Sequence, residues 1–149
     1  MEKYFKELNV ANWSGRTIIV DIDGTIATDG SSDFDPLVLE KIQEMALHNS
    51  VFLFSNKHLT DRDNKVANKL NIPLLKSTFK KPNKKVIDGL PSNLRKNLLV
   101  IGDKILTDGW FARNIGAEFI KVRRLTRKDS NFKTKLIYLI DDFFGYFIN

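Results

Sequence analysis

The chain has 149 residues, 42% of them apolar and 28% charged, with 11 Phe, which is the composition of a soluble globular domain able to bury a core. It has no cysteine, which excludes thiol catalysis, zinc–thiolate centres and disulfides. The net charge of +6 is local: Lys121 to Lys135 holds seven bases against Asp129 alone, and the rest of the chain balances.

In chain order, "MEKYFKELNV" alternates charged and apolar residues without the apolar core of a signal peptide, so residues 1–15 read as an N-terminal extension. "TIIVDI" (17–22) is a continuous apolar run, expected of a strand buried on both faces, and it ends on Asp21 and Asp23. Asp35 and Pro36 read as the N-cap and first residue of a helix reaching about His48, with Val38, Ile42 and Met45 inward. "VFLFS" (51–55) is a second strand, followed by a capping box, Thr60-x-x-Asp63, that opens a helix with Val66 and Leu70 inward. Residues 72–75 suggest a short third strand and Pro82 the start of a helix through Leu90. "NLLVIGD" (97–103) is a third strong apolar run. Asp108 to Ile115 reads as helix, "EFIKV" (118–122) as strand and Asn131 to Phe147 as a last helix. His48 and His58 are isolated, and Trp13 and Trp110 read as packing residues.

Strand and helix in alternation predict an α/β fold, a three-layer Rossmann-like parallel sheet with helices on both faces, in one domain spanning 1–149. Three strands end on polar residues: Asp21 and Asp23, Ser55 and Asn56, Gly102 and Asp103. In open α/β sheets ligands bind outside the carboxyl ends of the strands, so these side chains converge. Carboxylates meeting in one crevice repel, and a hard cation with oxygen ligands such as Mg²⁺ relieves that repulsion.

"DIDGT" (21–25), "FSNK" (54–57), "KKP" (80–82) and "IGDKILTD" (101–108) resemble, in order and spacing, the four motifs of the haloacid dehalogenase superfamily of phosphatases. The resemblance implies Asp21 as nucleophile, passing through an aspartyl phosphate, and Asp23 as acid and base. It further implies Thr25 hydrogen-bonding within the loop and counted with the substrate site, Ser55 and Asn56 holding a phosphoryl oxygen, and Lys81 neutralising charge. Asp21, Asp103 and Asp108, with Asp23 through its backbone carbonyl, are the implied Mg²⁺ site. The spans 23–55 and 55–81 are too short for the cap domain that many members carry, which implies an open site for a phosphate borne on something large or at a surface.

Among capless members, "GDKILTDGWFARNIGA" (102–117), with Asn114 and Gly116, is most similar to the phosphatidylglycerophosphate (PGP) phosphatases; the chain departs from them at Gly24 and Lys57, where they carry Asn. The expected substrate is therefore a phosphorylated lipid headgroup. A polynucleotide end, a small sugar or nucleotide phosphate, and a non-catalytic binding role are the alternatives; nucleic acid is disfavoured because aromatics do not interleave with the basic run. The tail 132–148 carries Leu136, Leu139, Ile140, Phe143 and Phe147 on one stripe, widened by Ile137, Phe144 and Ile148. That stripe suits the sheet core first, and otherwise a membrane interface or a partner. Peripheral membrane contact through 121–148 and an intracellular site, cytoplasmic or on a membrane surface, are the corresponding expectations, since no run reaches the roughly 18 apolar residues of a spanning helix.

Overall fold

The computed structural model describes residues 1–57, 60–127 and 132–148, with the side chains of Phe147 and Ile148 left aside. His58, Lys128, Asp129 and the expected helix start at Asn131 lie outside the described residues. Four strands, β1 (Thr17–Asp21), β2 (Ser50–Phe54), β3 (Leu98–Gly102) and β4 (Glu118–Lys121), form one parallel sheet in the order β2-β1-β3-β4. The helices are α1 (Pro36–Ala46), α2 (Asp61–Leu70), α3 (Trp110–Ile115) and α4 (Phe132–Ile148).

The apolar runs divide by residue parity, as the alternation of a strand requires. Ile18, Val20, Val51, Leu53, Leu99 and Ile101 face α1 and α2, while Ile19, Phe54, Leu98 and Val100 face α3 and the 82–90 segment. Each face is buried under its own layer, so every position of β1 and β3 is buried. This is the Rossmann-like arrangement expected. Asp35 caps α1 by accepting from Leu37 N, with Pro36 at the first helical position. Thr60 and Asp63 form the capping box of α2.

Three expectations need correction. Residues 72–75 do not make a strand: Leu53 N donates to Pro73 O and Leu75 N to Leu53 O, a single bridge, because Pro73 has no N–H to extend the ladder. The segment after Pro82 forms a 3₁₀ helix, Lys84–Gly89, capped by Asn83. It is a short stretch with two β-branched residues, and Gly89 sits so tightly on the Lys76 carbonyl that a Cβ would lie 2.1 Å from it. Residues 1–15 are no mere extension either. Phe5, Leu8 and Val10 are buried in the α1–α2 layer, Lys6 pairs with Asp35 at 2.6 Å, and Lys3 O accepts from Arg123 N.

Register aligns the carboxyl ends. Asp21 lies opposite Phe54, Val20 opposite Ile101 and Gly102 opposite Lys121. The residues that follow each strand, Ser55, Asp103 and Arg124 among them, therefore emerge at one edge beside Asp21.

Candidate active site

Asp21, Asp103 and Asp108 are all buried, and each offers a carboxylate oxygen within 4.8 Å of the others. Two glycines make room for this crowding. Gly24 has φ +81° and a Cβ there would lie 2.7 Å from Asp103 Oδ2; at Gly102 a Cβ would lie 2.3 Å from Asp108 Cγ. Asp108 reaches back over the strand end through a π-helical turn, Ile105–Gly109, in which Lys104 O accepts from both Asp108 N and Gly109 N. An all-oxygen set of three close carboxylates fits a hard divalent cation such as Mg²⁺.

Burial sets the proton affinities of this cluster. It raises the Asp108 carboxyl to about 6, with the Asp21 charge adding and Lys81 opposing. Asp21 and Asp103 are likewise raised by burial, against the pull of neighbouring cations. Lys81, buried, lies between two of these acids: its Nζ donates to Asp21 Oδ1 at 2.6 Å and to Asp108 Oδ1. Burial alone would lower its affinity for a proton, but the charges of Asp108 and Asp21 overcome this and hold it firmly protonated.

Asp23 leaves the carboxylate cluster and faces the other way. Its Oδ2 accepts from Ser55 Oγ at 3.0 Å, and its Oδ1 accepts from Gly30 N at 3.0 Å and Arg62 Nη2 at 2.6 Å, with Lys57 Nζ 3.6 Å away. Burial opposes ionisation here, but the Arg62 and Gly30 hydrogen bonds and the Arg62 and Lys57 charges win, holding the carboxyl at about 2. Without substrate Asp23 is thus a base and not an acid.

A profile of the mitochondrial PGP phosphatase family matches residues 4–125. The chain belongs to that family. This PGP phosphatase family member is a phosphatase of phosphomonoesters, with the haloacid dehalogenase type of fold. No curated protein and no solved structure matches it.

Two residues assigned to phosphate from the motifs sit differently in this family member. Thr25 is fully buried, its hydroxyl 3.5 Å from Asp103 Oδ1, so it braces an acid of the cluster and does not line the cleft. Asn56 lines the cleft, but its amide is engaged with the Lys81 backbone, donating to Lys81 O at 3.0 Å and accepting from Lys81 N at 2.8 Å. Asn114 donates to Pro82 O at 2.8 Å, holding the same loop from the far side. Lys81 is therefore placed by two amides that share no motif with it.

The sequence assigns no site role to Arg62, Lys104 or Asp141, and Arg124 stands there only as one of a basic run. Arg124 Nε donates to Asp103 Oδ2 at 2.6 Å, and its Nη2 lies 3.3 Å from Asp141 Oδ2 on α4. Its place just beyond β4, at the carboxyl edge, was the available signal. Arg62 had none, since it occupies the second position of a helix whose capping box already explained the local sequence.

A cleft of ≈ 250 Å³ opens over Asp21, Asp23 and Lys81, with Lys57 and Lys104 at its sides. Asp29, Asn56 and Thr107 also line it, and α4 forms a further wall through Thr134, Ile137 and Tyr138. Tyr138 carries the Arg124 guanidinium on its ring face at 4.1 Å and Lys104 Nζ at 5.6 Å. No cap domain interrupts this opening among the described residues, and no helix among them is long and apolar enough to cross a membrane.

Proposed function

We propose that the protein is a Mg²⁺-dependent phosphatidylglycerophosphate phosphatase that works through an aspartyl phosphate on Asp21. The observation that carries the reading is the placement of Asp21: a buried carboxylate paired with Lys81, beside Asp103 and Asp108, at the floor of a cleft with lysines on its rim. A phosphomonoester dianion entering this cleft has Lys57 and Lys104 at its sides and Lys81 at its floor.

Asp21 attacks phosphorus, forming the aspartyl–phosphate bond as the bond to the glycerol oxygen breaks. The leaving oxygen takes its proton from Asp23. The incoming phosphoryl charge raises the proton affinity of Asp23 from the low value it has beside Arg62, which prepares it for that donation. Ionised again, Asp23 removes a proton from water, which attacks phosphorus, releases inorganic phosphate and restores Asp21. Ser55, 3.0 Å from Asp23, can turn its hydroxyl to a phosphoryl oxygen, and Lys81 keeps the Asp21 side of the site neutralised throughout. Asp21, Asp103 and Asp108, with the Asp23 carbonyl, would hold Mg²⁺, which when bound supplies further charge neutralisation at the phosphoryl group. Contact of the 121–148 region with a membrane surface is part of this reading.

The test is phosphate release from phosphatidylglycerophosphate in vesicles, a 3′-phosphorylated oligonucleotide and a sugar phosphate, with and without Mg²⁺, by wild type and Asp21→Asn. Preference for the lipid, lost in Asp21→Asn, is expected. Preference for the oligonucleotide or sugar would overturn the substrate, and equal release by Asp21→Asn the mechanism.

A further inference from the structure

The last helix is docked the wrong way round for a core helix. Its inward stripe is Thr134, Tyr138, Asp141 and Gly145, at i, i+4, i+7 and i+11. Asp141, 1% exposed, accepts from Ile105 N at 3.1 Å and Leu106 N at 2.8 Å, and Gly145 lets Ile105 approach so closely that a Cβ would lie 2.8 Å from its Cδ1. The opposite face is apolar and points to solvent: Phe132, Leu136, Leu139, Ile140 and Phe143 recur at i, i+4, i+7, i+8 and i+11, with Leu139 68% and Phe143 61% exposed. A helix that buries its polar stripe and exposes its apolar one is shaped for a second apolar phase.

We propose that α4 lies in the plane of an anionic phospholipid bilayer, its apolar face among the acyl chains, and thereby sets the mouth of the cleft at headgroup level. Charge selects this occupant. Lys133 and Lys135 flank the apolar stripe, where their stems can run along it to the headgroups, and Arg123 and Arg127 are exposed in the preceding basic stretch. A second copy of the chain would bring more charge of the same sign to this face; an anionic bilayer brings the opposite sign. Continuity with the site is the other argument. Ile137, 56% exposed, and Tyr138 line the cleft from the same helix, so a bilayer against α4 borders the opening through which a headgroup phosphate enters. This deepens the substrate reading above and rests on it for the identity of the phosphate, but binding to the surface is measured separately.

The experiment is partition of the full chain onto vesicles of phosphatidylglycerol with phosphatidylcholine, against phosphatidylcholine alone, for wild type and the double substitution Leu136→Glu and Leu139→Glu. Hydrolysis of soluble p-nitrophenyl phosphate is followed in parallel. Wild type is expected on the anionic vesicles, and the double variant to bind at least about tenfold more weakly with its soluble activity kept. A Leu139→Trp chain, which preserves the apolar face, is expected to gain fluorescence quenched by brominated lipid. Wild type that stays off anionic vesicles, a double variant that binds as well as wild type, or added fluorescence in the Leu139→Trp chain that bromine does not quench would each overturn the proposal. Self-association in sedimentation that the double substitution abolishes, without vesicle binding, would assign the face to a second copy instead. Stripe-dependent vesicle binding with no release of phosphate from phosphatidylglycerophosphate would uphold the surface and refute the substrate.

Discussion

Replacing Asp141 by Ala should release α4 from the body of the protein while leaving the sheet intact. The carboxylate is buried, receives two backbone N–H groups from the π-helical turn and neighbours the Arg124 guanidinium, itself largely buried. Hydrogen bonds to a charged group contribute about 1.5–3 kcal/mol each, and removing one member of a buried charged pair costs about 3–5 kcal/mol. These figures overlap, so a single loss of about 3 kcal/mol is the working value for Asp141→Ala. Asp141→Asn, which keeps an acceptor, should lose about half of that. No α4 side chain among the described residues belongs to either apolar cluster, which leaves the polar contacts, with Tyr138 against Arg124 and Lys104, a large share of the docking. A loss of about 3 kcal/mol shifts the docking equilibrium roughly a hundredfold. Hydrogen exchange of the 132–148 amides, without vesicles, should therefore accelerate by about that factor, with β1 amides unchanged as the internal reference. Unaltered exchange across α4 in Asp141→Ala would show that the polar stripe is not what anchors the helix.

Lys81→Met should lower kcat by about a hundredfold or more, because it strips the cation from between Asp21 and Asp108; a variant within about tenfold of wild type would remove Lys81 from the charge-neutralising role. Arg62→Met should move the basic limb of kcat/KM to higher pH, since Arg62 contributes most to holding Asp23 at about 2 and its loss keeps the proton on Asp23 for the leaving oxygen; an unmoved limb would count against Asp23 as the acid. Without divalent ions, stability should fall as pH rises from about 4 to about 6. Asp108 binds its proton more tightly folded, at about 6, than unfolded, near 3.8, so the native state holds the extra proton across that window and loses the benefit above it. The stability that Asp23 contributes is present above 3.8 and lost only toward 2, below the window. Since Mg²⁺ competes with those protons, its increase of Tm should be larger at about pH 7 than at about pH 5; equal increases would argue that the carboxylate cluster is not the ion's site.

The motifs were legible because their chemistry is local to strand ends. A buried apolar run that stops on Asp21, and another that stops on Gly102 and Asp103, can end so only where something neutralises the acids. The supporting contacts were not legible, because each acts across the fold. Arg62 reaches Asp23 from 39 positions away, and Asn56 and Asn114 reach the Lys81 loop from the second strand's end and from α3. Short apolar runs also overstate strands. Residues 72–75 had the composition of one, and Pro73 reduced it to a bridge.

The case of α4 shows a different limit, one of sign. Periodicity reveals that a helix has an apolar stripe, but the stripe is equally visible whether it faces inward or outward. What decides is the cost of burying the opposite face. A buried carboxylate is normally prohibitive unless partners satisfy it. Ile105 N, Leu106 N and Arg124 supply those partners, and all three come from elements that also shape the catalytic edge: the turn that carries Asp108 and the segment that binds Asp103. The helix is therefore oriented by the elements that hold the acidic cluster. The same contacts that brace the acidic cluster force the apolar residues of α4 outward, which ties exposure of that face to an assembled site.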